Sequence, residues 1–397
     1  MTTYSLPCIP YRDNIIHLIE PNFSNNISFQ LNPTLSSYLS KIKTQIDSCQ
    51  SEWDKCKKLT NPYEYIHTSV PNTKQAVCKC KPLSRSFYKM IEIYNLMYLD
   101  ELLNGNRKIF YLAEGPGGFI EALISLRNNS EDKHYAISLI NNEDLSIPGW
   151  NKSKDFLDNN PNITLEKGID KTGNLFNPDT LMDIYKRHKN SVDLVTGDGG
   201  FNFSSNFNDQ ETVSTNLIIC QIAYAIAVQK KNGTAIIKFF DTFTDASVDM
   251  VYFLLIAYKD VSWVKPCTSR YANSERYAVC KGFRLKNIGA CISKFKNLLE
   301  LLFKSESIKP MTKLLTCDIP YIVINKLEEY NAIFGQQQIE SIANTLNLID
   351  NPKYDKLDAI KKCNIGKCIA WCNKYKLPYH RSIQPTNVFL GNRVSST

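Results

Sequence analysis

The sequence predicts an α/β fold, a mostly parallel sheet covered by helices on both faces. Three observations point there. Between residues 108 and 283 short apolar runs alternate with longer helical stretches. The first of these runs, Ile109-Phe110-Tyr111-Leu112, is of the buried type and passes through a glycine turn straight into a helix. After Phe283 the alternation stops, which confines the sheet to the middle of the chain.

Residues 1–70 are polar and Asn-rich. They hold one amphipathic stretch at about 35–58, with Leu35, Leu39, Ile42, Ile46 and Trp53 near helical spacing. Asn61-Pro62-Tyr63-Glu64 reads as a turn into a short helix, since Pro is tolerated at the first helical position. A short Lys-rich segment at 77–82 leads into a helix expected over 84–104. Strands are expected at 109–113, 135–140, 163–166, 192–196, 234–240, 261–264 and 277–281. Helices at 120–127, 212–231 and 245–258 fall among them. Beyond them, helices at 291–304, 337–348 and 353–374 are joined by polar loops. The expected division is a 1–70 extension, a 71–287 α/β domain and a 288–397 helical extension.

With 43% apolar and 22% charged residues in 397, the composition is that of a globular chain and excludes a disordered or fibrous one. The net charge of +8 suits a polyanionic partner. The longest apolar stretch, 217–228, contains Gln221 and is shorter than the ~20 residues that span a bilayer, so no membrane partner is expected. No secretory signal precedes Tyr4-Ser5-Leu6-Pro7, and a soluble intracellular chain is expected. The 13 cysteines are scattered, and Cys220, Cys280 and Cys291 sit in apolar runs as small hydrophobes. Cys56, His67, Cys78 and Cys80, and likewise Cys363, Cys368, Cys372 and His380, lack the paired spacing of a zinc site, so no metal is expected.

Two features carry chemistry. The first is Leu112-Ala113-Glu114-Gly115-Pro116-Gly117-Gly118-Phe119, between a strand and a helix. Glycine lets backbone approach a ligand closely. The loop lacks the Gly-Lys-Ser/Thr of a nucleotide-phosphate loop, and Ile120 stands where a dinucleotide fingerprint has its third glycine. A nucleoside ligand without a pyrophosphate remains, S-adenosylmethionine being the obvious one; the alternative is a tight turn that packs helix on strand.

The second feature is dispersed: Lys89, Asp198 at the end of a strand, Lys238 within Ile236-Ile237-Lys238-Phe239-Phe240, and Glu275. Each alone reads equally as a solvated charge. Lys238, bounded by apolar neighbours, is expected to be partly desolvated, which pushes its pKa down and suits a general base.

Lys, Asp, Lys and Glu in this order, with Gly-Pro-Gly-Gly between the first two, resemble the FtsJ-like family of RNA ribose 2′-O-methyltransferases. Asp198-Gly199-Gly200-Phe201, Thr268-Ser269-Arg270 and Asn273-Ser274-Glu275-Arg276-Tyr277-Ala278-Val279-Cys280-Lys281-Gly282-Phe283 most resemble its mRNA cap-1 members in eukaryotes and large DNA viruses. The similarity runs over 61–283.

The resemblance implies a Rossmann-like seven-stranded methyltransferase sheet with mainly helical N- and C-terminal extensions. It implies S-adenosylmethionine as methyl donor, capped RNA as substrate, and Lys89, Asp198, Lys238 and Glu275 as catalytic residues, Lys238 being the base. Glu114, Gly115, Pro116, Gly117, Gly118, Phe119, Asp170, Lys171 and Asp198 would bind the cofactor. Arg85 and Arg270 would meet RNA phosphates, with Lys79 and Lys81 beside them. Tyr88, Phe201, Phe203 and Tyr271 would either stack on bases or belong to the core. Asn141-Asn142 and Asn174 stand where relatives commonly carry acidic residues. Two other functions stay open: a non-catalytic RNA-binding or capping-complex subunit, and a ribosomal or transfer RNA ribose methyltransferase. Other capping or transcription subunits are candidate partners. The Asn-, Ile- and Lys-rich composition, with the tail, suggests a viral chain acting in a cytoplasmic factory or virion; a cellular one would act in the nucleus.

Overall fold

A computed structural model describes residues 3–27, 31–99, 104–140, 149–200, 208–304, 309–352 and 354–383. Among the described residues ten strands are formed: β1 Thr3–Ser5, β2 Ile19–Phe23, β3 Lys108–Leu112, β4 Lys133–Ile137, β5 Ile163–Glu166, β6 Val192–Gly197, β7 Gln229–Phe239, β8 Tyr258–Val264, β9 Arg276–Phe283 and β10 Met311–Leu315. Eight make the central sheet, in the order β1-β8-β9-β7-β6-β3-β4-β5. The run β7-β6-β3-β4-β5 is parallel, and β9, β8 and β1 extend it antiparallel. The seven strands β3–β9 are those expected between 108 and 283. The eighth, β1, comes from the N-terminal segment.

Successive side chains of a strand point to opposite faces, and both faces here are apolar. Phe110, Leu112, Val195 and Ile237 pack on the face covered by helices Pro178–His188, Gln210–Val228, Asp245–Ala257 and Ile288–Lys304. Ile109, Tyr111, Leu194 and Ile236 pack on the other, under helices Ser86–Leu96, Gly118–Arg127 and Tyr354–Lys374. Gln210–Val228 is long and apolar enough to cross a membrane, but it is buried along nearly all its length within the fold.

Several elements differ from the sequence reading. The 35–58 stretch is two helices, Pro33–Asp47 and Gln50–Thr60. The 84–104 helix is Ser86–Leu96, and residues 100–103 lie outside the described ones. Helix Pro178–His188 was not anticipated, although its start is well signalled. The Asn177 side chain accepts from the amides of Asp179 (2.9 Å) and Thr180 (3.3 Å), and Pro178 occupies the first turn. The expected 337–348 helix is part of the C-terminal half of the 30-residue Tyr321–Asp350.

Both terminal segments are fastened to the central unit. A two-stranded sheet joins β2 to β10. Arg276, on β9, is buried between Trp263 (4.8 Å) and Phe334 (4.9 Å), and donates to Thr242 Oγ1 (2.6 Å) and Asn331 Oδ1 (2.9 Å). It ties the sheet to helix Tyr321–Asp350. The parallel strands β3, β6 and β7 end at Leu112, Gly197 and Phe239, on the edge where such sheets bind ligands.

Candidate active site

At that edge the four dispersed residues meet. Lys89 lies one turn into helix Ser86–Leu96, and its ammonium is 2.8 Å from both carboxylate oxygens of Glu275, just before β9. Lys238, on β7, lies 3.2 Å from Asp198 Oδ1 and donates to the Asp198 carbonyl at 2.6 Å. Lys238 faces Tyr277 across the β7–β9 ladder, and the Tyr277 hydroxyl donates to Asp198 Oδ1 at 2.7 Å. The Tyr277 ring also lies 6.0 Å from the Lys89 ammonium, so it links the two ion pairs. Gly200 leaves room for Lys238, since a Cβ there would come within 2.9 Å of Nζ.

The charges are strongly coupled. Burial pushes the Glu275 carboxyl up, but Lys89 and Lys238 outweigh it and hold the group well below the usual carboxylate range. For Lys238 burial opposes the charge, yet Asp198, Glu275 and Glu114 together raise its pKa above the ordinary lysine value. The apolar neighbours in sequence desolvate Lys238, but three carboxylates brought in from elsewhere overcome them. Glu114 goes the other way: burial and then Asp198 push it far up, and its carboxyl takes a hydrogen bond from Thr196 Oγ1 (2.8 Å).

Three further groups shape the site. Glu92, one turn beyond Lys89, is fully buried and accepts from the amides of Cys267 (2.7 Å) and Thr268 (2.8 Å) and from Thr268 Oγ1 (2.6 Å). The same helix thus holds Glu275 and the loop that delivers it. Ser269 Oγ donates to Glu275 Oε1 at 2.8 Å. From beneath, Lys265 donates to the carbonyls of Asn273 (2.5 Å) and Glu275 (2.8 Å), and burial brings its pKa down to about 7. Glu92 stands three residues from Lys89, a spacing that places both on one side of a helix and was open to sequence reasoning. Tyr277 and Lys265 gave no such sign.

The glycine loop closes the site on its other side. Gly115 N donates to Ser138 Oγ at 3.1 Å, and Pro116 O accepts from Ser153 Oγ. A Cβ on Gly118 would lie 2.2 Å from the hydroxyls of Ser84 and Ser86, so this glycine seats the loop against the start of the Lys89 helix. Gly117 takes a left-handed φ of 105°. A Cβ on Gly115 would lie 2.5 Å from Gly149 O, so Gly115 and Gly118 are both required by packing within the protein. Phe119 is fully buried, its ring 5.8 Å from Tyr277, so its side chain belongs to the core between helix and sheet. Asp170 and Lys171 are exposed in a turn, where the Asp170 carboxylate accepts from Thr172 N (3.1 Å), Thr172 Oγ1 (2.8 Å) and Asn177 Nδ2 (2.9 Å). That turn abuts the end of β4 through Ile140 N to Thr172 O (2.7 Å). Gly173, at φ 66°, sits so close that a Cβ would be 2.0 Å from Ser138 O. Ser138 is thus the hinge between the glycine loop and the Asp170 turn. Asn174 closes a local turn by accepting from Phe176 N at 2.9 Å, and Asn141-Asn142 lie outside the described residues.

Of the expected RNA contacts, Arg85 is half-buried and donates to Thr268 O at 3.1 Å. Arg270 grips buried Glu64 through Nε (3.0 Å) and Nη2 (2.6 Å), and this pairing overcomes burial to hold the Glu64 carboxyl at about 2. Tyr88 is fully buried with its hydroxyl on Cys80 O (2.9 Å), and is core; Tyr271 is half-buried, and Phe201 and Phe203 lie outside the described residues.

Residues 82–283 match the family model for FtsJ-like methyltransferases. Over 292 residues the chain is 29% identical to cap-specific mRNA (nucleoside-2′-O-)-methyltransferase 1 of Drosophila melanogaster, covering 69% of this chain and 35% of that protein. It is 31% identical over 257 residues to the Bos taurus protein of the same name, covering 62% and 30%. A Caenorhabditis briggsae relative named as an inactive cap-specific enzyme, 1B, is 29% identical over 194 residues, covering 47% and 22%. The chain thus spans about a third or less of the length of these relatives. All three are animal proteins and lend the viral expectation no support.

Proposed function

The chain belongs to the FtsJ-like methyltransferase family, and on that premise we propose that it methylates the ribose 2′-hydroxyl of the first transcribed nucleotide of capped mRNA. S-adenosylmethionine would supply an electrophilic methyl group. The donor set suits such a cation: Glu114 and Asp198 at the strand ends, with the Asp170 turn fastened alongside through Ser138. The 71–287 unit would carry the reaction, and capped RNA would be the substrate.

The observation that carries this reading is the convergence of Lys89, Asp198, Lys238 and Glu275 at one edge of the sheet. An alcohol is a weak nucleophile at neutral pH and needs a base. Lys238 is the base on this reading, but its ammonium must first lose a proton that Asp198, Glu275 and Glu114 help it keep. Neutralising the Asp198 carboxylate would weaken that hold and lower the Lys238 pKa. Lys89, fixed on Glu275, would donate to the ribose oxygen and orient it. Holding the ribose oxygen and the methyl group in line would be worth roughly 7–11 kcal/mol of the barrier.

Similarity alone does not establish turnover, because a relative of equal identity is named inactive. The deciding experiment offers labelled S-adenosylmethionine with capped, uncapped and ribosomal RNA. Label on the first ribose of capped RNA alone is expected. Transfer to ribosomal RNA instead, or RNA binding with no transfer, would replace this reading by one of its alternatives.

A further inference from the structure

Against the start of the Lys89 helix lies a cleft of about 580 Å³ whose lining includes His67, Lys74, Lys79, Lys81, Arg85 and His380. Its chemistry follows from a local pattern. In Val77-Cys78-Lys79-Cys80-Lys81, Cys78 is buried and Cys80 half-buried, whereas Lys79 and Lys81 are exposed. Lys74 is exposed as well. Neither Asp nor Glu is among the described residues that line the cleft. Burial holds the His67 imidazole down at about 4, so it is neutral and the charge comes from Lys and Arg.

One wall belongs to the C-terminal extension. Lys79 N donates to Pro378 O (2.9 Å), His380 N donates to Val77 O (2.9 Å), and Cys78 bridges Tyr379 antiparallel. The segment beyond helix Tyr354–Lys374 is thereby laid along the lysine-bearing strap. At the inner end, Arg85 directly precedes helix Ser86–Leu96 and reaches Thr268 O, next to the Glu275 loop. A strand whose ribose sat at Lys89 and Lys238 would pass this helix start.

We propose that this cleft binds the phosphate backbone of the RNA, and that residues 377–380 make the C-terminal extension part of that site. The inference rests on the proposed RNA substrate. A polyanion fits better than an acidic protein surface, because none of the described residues lining the cleft is an exposed large apolar side chain that could anchor a protein partner.

The test uses the full chain and fluorescence anisotropy, which needs no turnover. Lys74, Lys79 and Lys81 are changed together to Glu, and binding of a long uncapped oligonucleotide and of a short capped one is followed against salt. A control carries Glu at Lys286, Lys304 and Lys362, exposed lysines outside the cleft. The cleft variant is expected to bind at least one oligonucleotide tenfold or more weakly. Its salt slope should drop by about 2, at ~0.7 for each phosphate contact on a single strand. Loss with the long RNA alone assigns the phosphates beyond the target nucleotide; loss with the short capped RNA as well assigns the cap triphosphate. His380→Glu should weaken binding and His380→Lys should restore or strengthen it. Unchanged affinity and slope, an equal loss in the control, or lost binding of polyglutamate with RNA binding intact would overturn the proposal. Equal binding by the two His380 variants would remove the C-terminal wall from it. Methyl transfer that fails while the cleft variant still loses RNA would instead count against the proposed reaction.

Discussion

The Lys238 ammonium stands 3.2 Å from the Asp198 carboxylate and 2.6 Å from the Asp198 carbonyl, so one residue binds the lysine with both side chain and backbone. The side-chain contact adds to the effect of Glu275 and Glu114 in keeping Lys238 charged. A base in that condition works better as pH rises, since only its neutral form accepts a proton. The methyl-transfer rate should therefore climb from neutral toward alkaline pH. Asp198→Asn removes the foremost raising charge, so its rising limb should move to lower pH even as its plateau falls. A pH–rate profile of the two proteins checks this; a limb that stays put would separate Asp198 from the titration.

Glu92 gives a second expectation. Glu92→Ala leaves the buried amides of Cys267 and Thr268 unpaired, at about 1–3 kcal/mol for each unsatisfied group. Thermal unfolding should shift down accordingly. Turnover should fall further than the loss of folded protein explains, because the loop before Glu275 loses its clamp. Glu92→Gln, which keeps one acceptor, should lie between.

The Glu64–Arg270 pair predicts a pH dependence of stability. Glu64 falls from 4.5 to about 2 on folding, which corresponds to roughly 3 kcal/mol at ~1.4 kcal/mol for each pH unit. A depressed carboxylate stabilises fully above its unfolded pKa and loses that contribution as pH drops toward the folded one. The parent should therefore lose stability between about pH 4.5 and 2, and Glu64→Gln should lose less over the same window. Denaturant melts across that range make the comparison, and identical slopes would refute it.

Gly173 supplies a fourth. Its left-handed φ of 66° and the 2.0 Å approach of a Cβ to Ser138 O leave no space that a side-chain rotation could open. Gly173→Ala should displace the Asp170 turn, weaken S-adenosylmethionine binding severalfold or more by calorimetry, and lower the melting temperature. Gly105→Ala, also at positive φ but with open space around it, should affect stability without affecting cofactor binding.

What could be read in the sequence follows contact range. The strands β3–β9 and the four charged residues were legible because each lies in a short apolar run or motif of its own. The protonation of Lys238 was not, because its neighbours in sequence are apolar and its neighbours in space arrive from residues 114, 198 and 275. Arg270 looked free for RNA because Glu64, its partner, is 206 residues away. The burial of the Phe119 ring was not legible beside the glycine loop, because one step along a helix turns a side chain from one face to another. Strands β1, β2 and β10 lie outside the central strand–helix alternation and exist through pairing with distant partners.

The central claim is that Lys238 takes the ribose proton. The direct measurement is the single-turnover rate of methyl transfer to capped RNA by the parent and by Lys238→Met, with S-adenosylmethionine affinity measured on both. A positioned base contributes about 10²–10⁴-fold, so a loss of that size with cofactor affinity nearly unchanged is expected. A Lys238→Met protein that transfers methyl groups at close to the parental rate would contradict the account.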